Sequence, residues 1–443
     1  MMTAYDTNMS YLNRGLIALS VFLAAALQIQ CDLYATSDYL GLRINIADLL
    51  VPVAGAGIFL SLMLKQSSWP QFTIAHGWAW IAGLTLVMTL SLVRGEWTQW
   101  GFLNKYCGWL VLLSLFLWGA WLNTNAPAVF VKRFLQIMAY TGIAIMGVGM
   151  IALFLRDSGV LPANGLFGYP LAGLMANRNA YALFVCALSI LLSLFHLKGQ
   201  DLVPIWLLRA MWIFLPLCHV LIGSRAGWIC QILIIPGLFI YGVRESFRSI
   251  LAPLLAGLAL VALLSAMGQV VISRGNQLRL FSQMTEVVQD PNLNYEPREI
   301  KKKYKVRSDI YRVQAARDAF ELWKTSPILG AGLGSFLVFQ EQKYGKIIDL
   351  IDNSMLWLLT ETGLLGLGAF LGFYMVCLYR LARNPDPLSI SIAGILLVFG
   401  IFSLFHEILY TRFIWFLLGL GMASKGVIAD KGIEPVRINS QSL

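Results

Sequence analysis

The sequence predicts an all-α polytopic membrane protein with about twelve transmembrane helices and one long outer loop that contains an amphipathic helix. Hydrophobic residues make up 58% of the 443 residues and charged residues only 13%. A large soluble core would need many more charged residues to cover it. Stretches of roughly 17–25 apolar residues are long enough to cross a bilayer as helices, and no water is available there to pair with other backbone conformations.

Twelve apolar stretches of this kind follow one another along the chain. The first is followed by Gln30, Cys31 and Asp32 rather than by a small-x-small cleavage site, so we interpret it as a span and not as a signal peptide. The predicted spans lie near 15–31, 45–65, 75–93, 104–123, 134–155, 179–197, 203–222, 226–243, 250–272, 354–379, 388–405 and 409–424.

The predicted organisation is nine spans over residues 1–272, an outer loop over 273–351 and three spans with a cytoplasmic tail over 352–443. Lys and Arg are more frequent in short cytoplasmic loops than in short outer ones, and this rule is obeyed when both termini are inside. The long loop is itself basic, with 13 Lys and Arg against nine Asp and Glu, but long loops are exempt from the rule. The short outer loops then hold Arg43, Arg94, Arg156, Arg178 and Arg225.

The long loop has one regular segment. Residues 308–323 place apolar side chains at helical spacing, which predicts an amphipathic helix. Pro327 ends it, and Gly330, Gly332 and Gly334 predict a tight glycine loop that lets backbone approach a substrate or lets the helix close over a site.

Cofactor and metal motifs are absent from the sequence. It contains no CxxC, HExxH, Walker loop or GxGxxG pattern, so we predict neither a metal nor a cofactor, and no nucleic-acid partner. The six cysteines fall within or at the ends of predicted spans, where we interpret them as packing residues: Cys31, Cys107, Cys186, Cys218, Cys230 and Cys377.

Polar and charged side chains gather at the outer ends of the predicted spans. Charges near a membrane are costly, and they are usually paired or functional. The set comprises Asn177, Arg178, Asn179, Ser224, Arg225, Arg312, Arg317, Asp349, Asp352, Asn353, His406, Glu407 and Arg412.

Each of these residues also has a structural interpretation. Arg225 and Arg178 are compatible with anchoring to lipid headgroups. Asp352 is compatible with an N-cap for the tenth span, and His406 with Glu407 as a polar pair at a helix end.

In the functional interpretation, several arginines at the outer leaflet indicate a site that binds a diphosphate. Guanidinium groups match phosphate oxygens and stabilise a leaving diphosphate. Asp352, His406 and Glu407 are the candidates for a base that accepts a proton from an attacking hydroxyl.

Five segments resemble the O-antigen ligase and polymerase family. They are LIGSRAGW at 221–228, YRVQAARDAFELWKTSPILGAGLGSF at 311–336, DNSMLWLLTETGLLGLGAF at 352–370, RINIADLLVPV at 43–53 and HEILYTRFIWFLLGLG at 406–421. The resemblance implies a metal-independent, inverting glycosyltransferase of the bacterial inner membrane. Such an enzyme takes a glycan from undecaprenyl diphosphate at the periplasmic face and passes it to an acceptor hydroxyl. On this resemblance, the outer loop over 273–351 is periplasmic.

The resemblance also implies roles for individual residues. Arg225 corresponds to one diphosphate-binding arginine of the family and Arg312 to the second, with Arg317 as the alternative and Arg178 nearby. Family ligases usually carry a histidine, proposed as the base, where this chain has Asp352. Either Asp352 replaces it, or His406 supplies the imidazole, or no base of that form is needed.

Three functions remain open on the sequence. In a ligase the acceptor is lipid A–core, which the basic loop favours because that acceptor is acidic. In a polymerase the acceptor is a second lipid-linked repeat, which the missing histidine favours. A carrier or flippase of lipid-linked sugars would need charges along the middle of the spans, where Arg209 and Glu361 are the main candidates.

Overall fold

The computed structural model describes residues 9–30, 34–35, 43–157, 160, 171–175, 177–241, 244–266 and 307–423. The end of the predicted ninth span, 267–272, the first part of the predicted loop, 273–306, and the predicted tail, 424–443, lie outside the described residues. The domain boundaries at 272/273 and 351/352 therefore stay predictions.

The described chain is almost entirely helical. One antiparallel pair of two-residue strands, β1 (Tyr34–Ala35) and β2 (Arg43–Ile44), lies between the first two helices. The helices are α1 Tyr11–Ala26, α2 Ile46–Met63, α3 Gly77–Arg94, a π-helix Trp100–Tyr106 that continues as α4 Cys107–Asn125, α5 Ala128–Asp157, α6 Arg178–Leu197, α7 Ile205–Ile222, α8 Arg225–Tyr241, α9 Arg244–Ala266, α10 Arg307–Thr325, α11 Ser335–Tyr344, α12 Ser354–Arg383, α13 Pro387–Ser403 and α14 Arg412–Met422.

The expectation of a polytopic helical membrane protein is confirmed. Within the described residues, eight helices are long and apolar enough to cross a membrane: α2, α3, the π-helix with α4, α5, α6, α7, α9 and α12. Four shorter apolar helices, α1, α8, α13 and α14, coincide with the remaining four predicted stretches. The count of twelve spans stays a prediction.

Helix starts are set by side-chain caps that can be recognised in the sequence. Asn45 and Asp48 form a capping box at the start of α2, in which each side chain accepts from the other residue's backbone N–H. Asn177 accepts from two backbone N–H groups at 2.9 Å at the start of α6, and Asn353 caps α12 in the same way at 2.9 Å. The Asp386 carboxylate caps α13. These caps fix where α2, α6, α12 and α13 begin.

The helix ends form two separate groups. At one end, Thr73 donates its backbone N–H to the Met422 carbonyl at 2.8 Å, and the Asn123 amide donates to the Ala423 carbonyl at 2.9 Å. These atoms precede α3 and end α4 and α14, which is the arrangement expected if consecutive helices alternate in direction across the bundle.

At the opposite end, the start of α14 meets the start of α2. Arg412 donates to both Asp48 carboxylate oxygens, at 2.6 and 2.7 Å. Arg412 was predicted from the sequence to belong to the cluster at the outer face, and the structure shows it in a bidentate ion pair with Asp48.

The helices pack closely where glycines allow backbone to approach backbone. A Cβ atom at Gly119 of α4 or at Gly419 of α14 would lie within 3.0 Å of the partner helix's carbonyl oxygens, those of Phe416 and Phe116 respectively. Small residues at such crossings are typical of helix association in membranes, where dispersion contacts replace the hydrophobic effect.

The predicted amphipathic helix is present as α10, and a tight turn containing the three glycines follows it. Gly330, Gly332 and Gly334 all have positive φ, of 71°, 100° and 84°. The glycine loop packs against a break in α12 at Gly363, where φ is 70° and ψ is −170°.

Backbone hydrogen bonds join this loop to both sides of the break. Ala331 and Gly332 donate to the carbonyls of Thr360 and Glu361 at 2.9 and 3.0 Å, and Leu364 donates to the Pro327 carbonyl at 2.9 Å. The loop thus satisfies the polar groups that the interrupted helix leaves open, as backbone at membrane depth requires. In this structure, the glycines at 330, 332 and 334 let the backbone of the loop pack closely on neighbouring backbone.

Candidate active site

Asp352 lies at the centre of a polar network at the end of the bundle where α2 and α14 begin. Its Oδ2 atom forms an ion pair with the Arg312 guanidinium of α10. Its Oδ1 atom lies 3.7 Å from Nδ1 of His406, in the turn between α13 and α14. The carboxylate is therefore shared between two of the groups that the sequence analysis singled out.

The network continues from His406 into two further elements. The side-chain amide nitrogen of Asn179, in the first turn of α6, lies 3.2 Å from His406 Nδ1. The Asn179 amide oxygen accepts a hydrogen bond of 3.1 Å from the hydroxyl of Ser224, which in turn accepts from the backbone N–H of Gly227 at 3.3 Å. Residues far apart in sequence therefore form one chain of contacts, from the Ser224 turn to Arg312.

This chain of contacts brings two of the predicted diphosphate-binding arginines to the same region. Arg225 directly follows Ser224 as the first residue of α8 and is exposed. Arg178 directly precedes Asn179 as the first residue of α6 and is half-buried. Their backbones thus adjoin residues of the Asp352 network, and Arg312 is part of it.

Arg317 has a different position on α10. It lies five residues after Arg312, about 140° around the helix axis, and it is exposed. Arg312, not Arg317, makes the ion pair with Asp352.

The turn that carries His406 is held by the start of α12. The Ser354 hydroxyl donates to the His406 carbonyl and accepts from the backbone N–H of Ile408, both at 3.0 Å. The Asn353 amide donates to the Leu404 carbonyl at 2.6 Å while its oxygen caps α12. The residues next to Asp352 therefore fix the backbone next to His406.

The environment of Asp352 favours its ionised form. Burial alone would raise the pKa of this carboxyl, but His406 and the Arg312 guanidinium outweigh burial and hold the pKa below its usual range. A carboxylate with a lowered pKa is a weak proton acceptor at neutral pH. Its geometry suits it better to orienting His406 and Arg312.

Lys105 is the residue that the sequence analysis missed. It lies in the π-helix, inside the predicted fourth span, and pairs with Glu407, the neighbour of His406. A charged residue inside an apolar stretch was the available signal, but only Arg209 and Glu361 were considered as mid-span charges. Glu407 was one of the three candidate bases, and the structure pairs it with a buried ammonium group.

Across the residues that the structure describes, no three His, Cys, Asp or Glu side chains lie together in a way that would hold a metal ion. The five cysteines in the described ranges are free thiols, four of them buried. They are Cys107, Cys186, Cys218, Cys230 and Cys377.

Comparison with known proteins identifies the segment that carries most of this network. No curated protein matches the chain. Residues 210–371 match the family model described as O-antigen ligase, and they include Arg225, Arg312 and Asp352. Over this segment, the chain is similar to the O-antigen ligase and polymerase family.

Proposed function

We propose that the protein is an inverting, metal-independent glycosyltransferase that moves a glycan from undecaprenyl diphosphate to an acceptor hydroxyl, with lipid A–core as the acceptor. The observation that carries the proposal is the contact of the Asp352 carboxylate with both Arg312 and His406. An arginine for a diphosphate and an imidazole for a proton are the two groups that this transfer requires.

The proposed donor site comprises Arg225 and Arg312, with Arg178 beside them. Arginine suits this role because its fork of donors matches phosphate oxygens and keeps its charge at every physiological pH. Arg312 faces Asp352 in the structure, so a bound diphosphate competes with Asp352 for the guanidinium. Arg317 remains the alternative second arginine.

His406 is the proposed base, and Asp352 is the group that orients it. When the diphosphate takes Arg312, the Asp352 carboxylate is released towards His406 Nδ1, now 3.7 Å away. For Nδ1 to carry a proton held by Asp352, it must give up the hydrogen bond that the Asn179 amide nitrogen donates to it at 3.2 Å. With the proton on Nδ1, Nε2 is free to accept the proton of the acceptor hydroxyl, which is the logic of a catalytic triad. Donor binding would thus activate the base.

The transfer step then balances in one displacement. The acceptor oxygen loses its proton to His406 Nε2 and forms a bond to the anomeric carbon. The bond from that carbon to the diphosphate oxygen breaks on the opposite face, and the diphosphate leaves with the electron pair. Arg225 and Arg312 stabilise the charge that develops on it.

The proposed location is the bacterial inner membrane, with both termini in the cytoplasm and the site at the periplasmic face. Two observations support this. The site residues adjoin the end of the bundle where α2 and α14 begin. Among the short predicted loops, those at the opposite end are the richer in Lys and Arg, as short cytoplasmic loops are.

A repeat-unit polymerase is the second candidate, because Asp352 occupies the position at which family ligases usually carry a histidine. Both functions share the donor chemistry and differ in the acceptor. A carrier of lipid-linked sugars is the third, since Glu361 is buried beside the break in α12 and broken helices line transport sites.

One assay separates the three. Purified protein in detergent is given an undecaprenyl-diphosphate-linked glycan together with either lipid A–core or a second lipid-linked repeat. Glycosylated lipid A–core is the expected product. A ladder of lengthened lipid-linked glycan would instead show a polymerase. Donor binding without transfer to either acceptor would overturn both and favour the carrier.

A further inference from the structure

Lys105 is a buried cation in a segment of unusual backbone. It lies in the π-helix Trp100–Tyr106 at the start of the α4 span, and its side chain is only 2% exposed. π-helical turns are rare, and they occur often at functional sites because the widened turn places a side chain where a regular helix would not.

The Lys105 ammonium is surrounded by protein groups in place of water. Its Nζ atom pairs with Glu407 Oε1. It also lies 4.7, 4.7 and 4.8 Å from the ring centres of Trp100, Trp357 and Tyr410. Aromatic faces stabilise a desolvated cation. The three rings come from the π-helix, from α12 and from the His406 turn.

Buried ion pairs of this kind seldom improve stability. Removing two charges from water costs about as much as their attraction returns, and well-packed apolar residues often serve stability equally well. A pair whose members are 2% and 17% exposed is therefore better explained by the geometry it fixes.

The geometry that it fixes is that of His406. Glu407 directly follows His406, so the ion pair with Lys105 holds the backbone on that side of the histidine. The Tyr410 hydroxyl, four residues further on, donates to the Lys105 carbonyl at 2.9 Å. Lys105 thus contacts the turn twice, through its side chain and through its backbone.

We propose that Lys105 and Glu407 form a positioning pair that orients the His406 imidazole towards Asp352. This inference rests on the proposed function, in which His406 accepts the acceptor proton. The two residues do not touch substrate. They act through the turn that carries His406.

The test compares Lys105→Met, Lys105→Arg and the double variant Lys105→Met/Glu407→Met in the transfer assay, with thermal stability measured in parallel. Lys105→Met leaves the Glu407 carboxylate unpaired and lowers both stability and kcat. The double variant removes both charges and should recover stability. If the pair positions His406, the double variant keeps a kcat that is about 10- to 100-fold low, as expected for a small displacement of a catalytic group.

Two further measurements distinguish a positioning role of the Lys105–Glu407 pair from a role in packing alone. The donor KM should stay within about twofold in every variant, because Arg225 and Arg312 are untouched. Lys105→Arg should recover part of the kcat, because it retains a cation in the aromatic cage. A stable double variant with wild-type kcat would overturn the inference and leave the proposed function intact. A wild-type protein without transfer activity would overturn both.

Discussion

His406 Nδ1 lies 3.7 Å from Oδ1 of Asp352, slightly beyond hydrogen-bonding distance. Oδ2 of the same carboxylate is held by Arg312, and the Asn179 amide nitrogen approaches His406 Nδ1 at 3.2 Å. In this arrangement the imidazole is not yet oriented as in a catalytic triad. A shift of the carboxylate by less than about 1 Å would bring Oδ1 within hydrogen-bonding distance of a protonated Nδ1. Arg312 and the Asn179 amide are the groups that oppose this change.

Asp352→Asn tests this relationship. The amide cannot hold the His406 imidazolium by charge, so we expect kcat to fall by about 10²- to 10⁴-fold, the range of a general-base contribution. The donor KM should stay the same or fall, because Arg312 no longer has a competing carboxylate. Steady-state kinetics with varied donor give both numbers. An increased donor KM at unchanged kcat would assign Asp352 to donor binding instead.

The lowered pKa of Asp352 also predicts a pH dependence. A carboxyl whose pKa is lower in the folded state stabilises the fold above its unfolded pKa of about 3.8, and that contribution is lost as pH falls through the folded value. The stability advantage of the wild type over Asp352→Asn should therefore not shrink between about pH 8 and pH 5, and it should shrink below about pH 4. Thermal denaturation across this range measures it. A difference that already shrinks between pH 7 and pH 5 would contradict the assigned direction of the shift.

Arg225→Ala should abolish transfer without loss of folded protein. The side chain is exposed at the first residue of α8, so its removal leaves no cavity, whereas a diphosphate would lose a forked cationic partner. Arg225→Lys should restore only part of the activity, since an ammonium lacks the bidentate geometry.

Arg133→Ala is the matched control for Arg225→Ala. Arg133 is also an exposed arginine, but it lies near the start of α5, at the predicted cytoplasmic end. We expect wild-type kinetics from it. Near-normal activity of well-expressed Arg225→Ala would remove Arg225 from the donor site.

The positions of the helices were predictable because hydropathy and length decide which segments enter a bilayer. In the described ranges, the eight long and four shorter apolar helices all overlap predicted stretches, and α10 runs from Arg307 to Thr325 where 308–323 was predicted. The helix α11, the π-helix and the break at Gly363 were missed. A short helix with little periodicity and a single altered turn leave no signal in hydropathy.

The site was predictable in its residue types but not in its pairings. Arginines and a histidine at the predicted outer ends indicated the chemistry. The contact between Lys105 and Glu407, however, joins residues 302 positions apart, and Arg412 with Asp48 joins residues 364 apart. Such pairs depend on how helices pack, which one sequence does not specify. The sequence alone therefore does not distinguish Arg412 from the arginines that are proposed to bind the diphosphate of the donor.

Arg412→Ala should destabilise the protein and leave its catalytic constants nearly unchanged. The side chain is 21% exposed and its partner Asp48 only 10%, so its loss leaves a largely buried carboxylate unpaired. Breaking buried pairs costs about 3–5 kcal/mol, and we expect the lower part of that range because both groups retain some water contact. Thermal denaturation together with kinetics at a permissive temperature measures both effects. A lowered kcat in well-folded Arg412→Ala protein would return Arg412 to the site.

Gly330→Ala should be far more disruptive than Gly345→Ala, although the two glycines have nearly the same backbone conformation. Their φ angles are 71° and 67°, so either alanine carries the same left-handed strain of about 1–2 kcal/mol. A Cβ at Gly330 would also lie 2.5 Å from the Glu361 carbonyl carbon, whereas nothing lies within 4 Å of one at Gly345. The difference between the two variants in melting temperature and in yield of folded protein therefore reports the packing of the glycine loop on the broken helix α12. Equal destabilisation by the two substitutions would mean that the loop does not pack against the break at Gly363 in the membrane.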